Sequence, residues 1–131
     1  LLALDKLDTY NNIDSLKNVL RFIANSAIQH DKKVYYKLHP KEEIKLAEFD
    51  NFTELDKNKG IEYYYAAAKG NPLTVVGCKS TALMSARILK CNTMSFAYLM
   101  NEATNDLISF YKAIGVSMPP DSVALDKLLL Y

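Results

Sequence analysis

Apolar residues recur along the chain with two different periods, and the switches between them mark out its elements. Ile13, Leu16, Leu20, Ile23 and Ala27 stand three or four residues apart, which predicts a helix over 13–29 with Asn12 as its N-cap. "KKVYYKL" (32–38) is short, β-branched and aromatic, and predicts a strand. From His39 to Gly60 the chain is polar and irregular, with a short helix or strand expected near Ile44–Phe52. Gly60 then opens a helix over 61–70, which Gly70, Asn71 and Pro72 end. "LTVVGC" (73–78) predicts a second buried strand, "ALMSARILK" (82–90) a helix and "TMSFAYLM" (93–100) a third strand. A helix over 102–114 stops at Gly115, Pro119-Pro120 mark a loop, and "SVALDKLLL" (122–130) predicts a last short helix. Strands alternating with helices predict an α/β fold: a Rossmann-like parallel sheet flanked by helices, forming a single domain over 1–131.

The remaining stretches are read as structural. "LLALDKLDTYNN" is broken by Asp5, Lys6 and Asp8, so it is no signal peptide, and "DKLDTYNNID" is expected to be solvated. The chain starts without Met, which predicts a piece of a longer protein. Tyr63, Tyr64 and Tyr65 are expected in the core and at its rim.

Composition narrows the function classes. Half the residues are hydrophobic and 24% are charged, the balance of a soluble globular protein. A net charge of +1 requires no strongly basic face, which argues against nucleic acid but leaves room for a small anionic ligand. No apolar run approaches the roughly 20 residues of a membrane-spanning helix. Cys78 and Cys91 form no CxxC pair and are expected as free thiols, with the cytoplasm as the expected compartment. Two histidines are too few for a histidine-rich metal site; neither metal nor cofactor is expected.

Three places could carry chemistry, and each has an ordinary reading beside the functional one. In "VVGCKSTAL" a strand ends at Gly77, and Ser80 and Thr81 begin a helix. Ser80 can be a plain N-cap; equally, hydroxyls beside the free N–H groups of a helix start suit a phosphate, with Lys79 adding charge. The stretch is not a P-loop, lacking GxxxxGK[ST]. His39 follows a strand, and Pro40 restricts it to extended geometry, which would hold an imidazole at the sheet's carboxyl edge. It is either an incidental loop histidine or a donor to a departing phosphate oxygen. Glu62 at a helix start is favoured there by the dipole, or accepts hydrogen bonds from a ribose diol. His30, at a helix end beside Asp31, reads as a partner of the helix dipole.

Taken in order, "KLHP", the helix opening "IEYYYAAAKG" and "VVGCKSTAL" resemble the carboxyl-terminal domain of bacterial GT-B sialyltransferases. The similarity is to the lipooligosaccharide sialyltransferase family, with the capsule polysialyltransferases as relatives, and it spans about Lys33 to Leu89. It implies a GT-B enzyme of two Rossmann-like domains facing a cleft, inverting and metal-independent, with this chain as the half that holds CMP-sialic acid. It also implies site residues. His39 would contact the donor phosphate and assist the departure of CMP. Ser80 and Thr81 would bind that phosphate, Glu62 would take the ribose hydroxyls, and Lys37 would lie near the nucleotide.

The acceptor would be a lipooligosaccharide or capsule glycan, met by an amino-terminal domain absent from this chain, with the enzyme peripheral on the inner membrane. The family's general base, an aspartate in an Asp-x-Gly setting, has no counterpart here, so the chain alone is expected to be inactive. An exposed cleft face would make self-association into a homo-oligomer reasonable. Two other readings stay open: a GT-B enzyme using another nucleotide sugar, and a non-catalytic Rossmann-like module that binds a nucleotide or a protein.

Overall fold

The computed structural model describes residues 1–129. The helix with the strongest apolar stripe forms where the pattern places it. It is α1, Ile13–Gln29, and its cap Asn12 accepts hydrogen bonds from the amides of Asp14 and Ser15. The strands are short: β1 is Leu2–Ala3, β2 Tyr35–Lys37, β3 Thr53–Glu54, β4 Thr74–Gly77 and β5 Asn92–Ser95. All are parallel, in the order β3-β2-β1-β4-β5. The other helices are α2 (Ile61–Ala67), α3 (Thr81–Ile88), α4 (Asn105–Ile114) and α5 (Ser122–Leu129). Leu130, the last residue of the predicted final helix, lies outside the described residues. The expected α/β architecture, a Rossmann-like parallel sheet between helices, is the observed one.

The sheet is covered on both faces, and alternation along the strands sorts its side chains. Leu2, Leu4, Val76, Cys78, Met94 and Phe96 pack on the side of α1 and α5. Ala3 and Val75 pack on the side of α2, α3 and α4, against Ile61, Leu83, Ala86 and Tyr111. Chain direction explains this split. The strand order runs one way from β1 to β3 and the other way from β4 to β5, and right-handed crossovers then place their helices on opposite faces. The reversal falls between β1 and β4, which makes it the topological switch point of the sheet. Gly77 is needed there, because a Cβ on it would stand 2.9 Å from the carbonyl oxygen of Ala3 on the neighbouring strand.

Some expectations fail, each for a local reason. The stretch "DKLDTYNNID" is not all solvated, since Leu7 and Tyr10 are buried, and ahead of it Leu2 and Ala3 form the central strand, to which the sequence pattern assigns no element. A two-residue strand buried on both faces shows no alternation, and the charges after it hide it. The strand expected over 93–100 ends at Ser95, since Phe96 to Asn101 turn back through hydrogen bonds such as Glu102 N–H to the Ala97 carbonyl. Tyr63 and Tyr65 are 55% and 46% exposed rather than core, because α2 buries only Ile61. The helix expected from 102 begins at Asn105, after the Thr104 cap. Cys78 and Cys91 are free, buried and in separate core clusters. Burial pushes the Cys78 thiol up to about 12, which keeps it an inert core thiol.

Candidate functional site

At the carboxyl ends of β1, β2 and β4 lies a cavity of about 310 Å³, at the low end of the roughly 300–1,000 Å³ usual for small-molecule clefts. Lys37, His39, Glu62, Ser80 and Thr81 all line it. These residues come from three separate parts of the chain, and the switch-point topology brings them together.

Each is placed by its own element. Lys37 ends β2, and its ammonium donates to the carbonyl of Lys57 at 3.3 Å. Burial holds that ammonium below the ordinary lysine range, while Asp56 and Glu62 pull it back up. His39 follows after buried Leu38 and is fixed by its own turn. Its carbonyl accepts from Glu42 N–H at 2.9 Å, and its Nδ1 accepts from Lys41 N–H at 3.1 Å. A ring nitrogen that accepts carries no proton, so the neutral ring keeps its hydrogen on Nε2.

Ser80 is the N-cap of α3, as the ordinary reading had it: its Oγ accepts from Ala82 N–H at 3.2 Å. A hydroxyl that accepts can still donate, so capping leaves the Ser80 O–H available to a ligand. Thr81 is the first helical residue, whose N–H has no carbonyl within the helix to reach. Glu62 stands in the first turn of α2, beside the N-cap Gly60. The space where a Gly60 Cβ would be lies only 2.5 Å from Glu62 Oε2.

Lys79 behaves differently from the expectation that it adds charge for a phosphate. Its ammonium is paired with Glu102 Oε1 at 2.6 Å, and it does not line the cavity. Residues that the pattern missed also line it. Ser85 lies four residues after Thr81, a helical spacing that could have pointed to it. Ala3 and Leu4 were hidden with the unrecognised strand. His30 is no candidate: its Nε2 faces Asp126 Oδ1 at 3.1 Å, which joins the end of α1 to α5.

Two other hollows suit an anionic ligand less well. One, of about 480 Å³ beyond the 39–45 loop, presents Glu42, Glu43, Glu54 and Asp56 against Lys45 and Lys57. The other lies at the amino ends of the strands, holds about 100 Å³ and is lined chiefly by apolar side chains. Among the described residues no group of three or more His, Cys, Asp or Glu converges as metal ligands would, and no helix is long and apolar enough to cross a membrane.

Among known proteins, the model of the alpha-2,8-polysialyltransferase (POLYST) family matches residues 3–98. No curated protein and no solved structure matches the chain. The family match runs from β1 through the turn after β5, and so contains β2, α2, β4 and α3 with every residue of the cavity. Most of the chain and its whole candidate site lie inside that match, and the protein belongs to the alpha-2,8-polysialyltransferase family, whose sialyl transfer to a glycan calls for a nucleotide-sugar donor and a glycan acceptor.

Proposed function

We propose that the switch-point cavity binds the CMP moiety of CMP-sialic acid, and that the chain is the donor-binding half of an inverting, metal-independent GT-B sialyltransferase. The observation that carries this reading is the convergence of Lys37, His39, Glu62, Ser80 and Thr81 on one cavity. Breaking the bond between sialic acid and phosphate builds negative charge on the departing CMP. The Nε2–H of His39, the Ser80 hydroxyl and the first-turn N–H of Thr81 are donors suited to that oxygen. Transition-state charge is best stabilised by donors that need not reorganise, and both His39 and Ser80 are already pinned by their own loops. Glu62 takes the ribose diol, and Lys37, close enough to Glu62 to feel its charge, lies beside the nucleotide.

The general base and the acceptor site lie on another domain of the full enzyme, with residues 1–131 as the donor domain. The acceptor is a lipooligosaccharide or capsule glycan at the cytoplasmic face of the inner membrane. An isothermal titration with CMP, UMP and GMP tests the donor site. CMP should bind most tightly. His39→Ala and Ser80→Ala should each weaken it roughly 10- to 100-fold, the value of a hydrogen bond to a charged group at about 1.5–3 kcal/mol. A preference for UMP would assign the cavity to a different nucleotide sugar. Binding indifferent to both substitutions would return His39 to an ordinary loop position.

A further inference from the structure

Two carboxylates that do not line the cavity hold its walls together. Glu42 sits three residues after His39 in a run that looks like surface charge, yet it is only 5% exposed. Its Oε1 accepts from Leu7 N–H at 2.5 Å, and its Oε2 accepts from the amides of Glu43 and Ile44 at 3.1 and 3.3 Å. Leu7 opens the 3-10 turn Leu7–Thr9, so the side chain of Glu42 caps the loop after β1 while its own amide closes the His39 turn. The ammonium of Lys57 donates to the Glu42 carbonyl, and the Lys57 carbonyl accepts from Lys37. The loop after β2 is thereby tied to the loop after β1 at the one point where His39 needs a fixed backbone.

Asp5 makes the second tie. It stands two residues after β1, its N–H donates to the Tyr10 hydroxyl, and its Oδ2 accepts from Lys79 N–H at 3.2 Å. Lys79 immediately precedes the N-cap Ser80, and its ammonium is anchored on buried Glu102. The loop after β1 therefore joins the loop that carries His39 to the turn that carries Ser80 and Thr81. A carboxylate sealed from water needs its acceptors filled, and Glu42 fills them with three backbone amides. Such bonds fix loop geometry rather than neutralise charge.

We infer that Glu42 and Asp5 are positioning residues of the donor site, holding His39 and Ser80 at a fixed separation before any ligand arrives. The inference rests on the donor-site reading for its ligand, but its first readout does not need one. In the full chain at alkaline pH, where any imidazole is neutral, ¹⁵N NMR of the His39 ring reports its tautomer. The wild type should hold the hydrogen on Nε2. In either orientation Glu42→Gln turns an amide NH₂ on backbone donors, Leu7 N–H or those of Glu43 and Ile44, so the tie between the two loops should loosen and the ring should populate both tautomers.

CMP titration gives the second readout. Glu42→Gln should lose at least tenfold in affinity while the sheet remains folded by circular dichroism. Asp5→Ala should lose a similar factor, and Asp5→Asn, which keeps an oxygen for Lys79 N–H, should restore it. A wild-type tautomer and wild-type affinity in Glu42→Gln would overturn the inference. So would equal affinities of Asp5→Ala and the wild type, which decide the matter if Glu42→Gln does not fold. A wild type that binds no CMP but whose His39 ring loosens in Glu42→Gln would sink the donor reading and leave the positioning role standing.

Discussion

The two ends of the sheet are built from opposite materials. At the amino ends of the strands the protein leaves a small hollow lined chiefly by apolar side chains such as Leu2, Ile23 and Val76, with Lys32, Lys33, Ser26 and Thr74 also lining it. At the carboxyl ends it buries Glu42 and Glu102, half-buries Asp5, and leaves Glu102 Oε2 with no hydrogen-bond partner among the described residues. Buried carboxylates cost free energy unless every acceptor is filled, and ion pairs formed away from water seldom repay the loss of hydration. A fold selected for stability alone has no reason to gather them at one edge. The two histidines repeat the contrast. His30 spends a ring nitrogen on Asp126 to join two helices, whereas His39 is braced by its own loop and lines the cavity. One histidine serves the packing of two helices, and the other faces the cavity proposed as the donor site.

That division is broken most directly by deleting apolar volume at the amino end. Ile23 is 2% exposed and lines the small hollow, so Ile23→Ala should cost about 2–5 kcal/mol in urea unfolding. The affinity of the folded protein for CMP should stay within about twofold, since distant sites act independently. His39→Ala should do the reverse, with a stability change within about 0.5 kcal/mol and a large loss of affinity. If both variants lost both properties together, the two ends would not be separable.

A smaller effect comes from the junction of the two regions. Gly77 ends β4 beside β1, and a methyl group there would meet the Ala3 carbonyl at 2.9 Å, with Leu83 behind it at 3.5 Å. The backbone cannot yield as a side-chain tip can, so Gly77→Ala should cost about 1–3 kcal/mol, typical of overpacking. Because the β4–α3 turn would shift with it, CMP affinity should fall as well. Unchanged affinity in a destabilised Gly77→Ala protein would show that the turn re-forms independently of the strand.

How much of this was legible in the sequence differs between the two regions. The helix over 13–29, its Asn12 cap and the strand–turn–helix at Ser80 follow from local periodicity and capping, because the forces that form them act within one or two turns. Lys37, His39, Glu62, Ser80 and Thr81 were picked out together only through resemblance, and Ala3, Leu4 and Ser85, which line the same cavity, were not picked out at all. What could not be read was anything set by contacts distant in sequence. Nothing distinguishes Glu42 from Glu43 until Leu7 arrives from 35 residues away to fill its oxygen. Lys79 looks like a phosphate cation until Glu102 is seen to hold it. Leu2–Ala3 becomes a strand only because β2 and β4 flank it.

The finest test of the contrast is the charge on Asp5. Burial raises its carboxyl above the ordinary range and Glu102 adds to the rise, while the Lys79 amide, the Lys79 ammonium and His39 oppose it. A raised folded-state value means that the folded chain holds this proton more tightly than the unfolded chain does. Stability attributable to Asp5 is therefore greatest in acid and falls as pH rises from the ordinary carboxylate value through the raised one, beyond which the full cost of the buried charge remains. Asp5→Asn removes that titration and keeps the oxygen for Lys79 N–H. Thermal unfolding of the two proteins should then diverge with rising pH, the variant gaining on the wild type until the pH has passed the raised value, where the divergence levels off. If the wild type gained instead, the pull of Lys79 would outweigh the burial, and the Asp5 charge would count among the bonds that stabilise the fold. A gain by Asp5→Asn would mean that the charge is carried at a cost to stability, at the edge where the proposed chemistry lies.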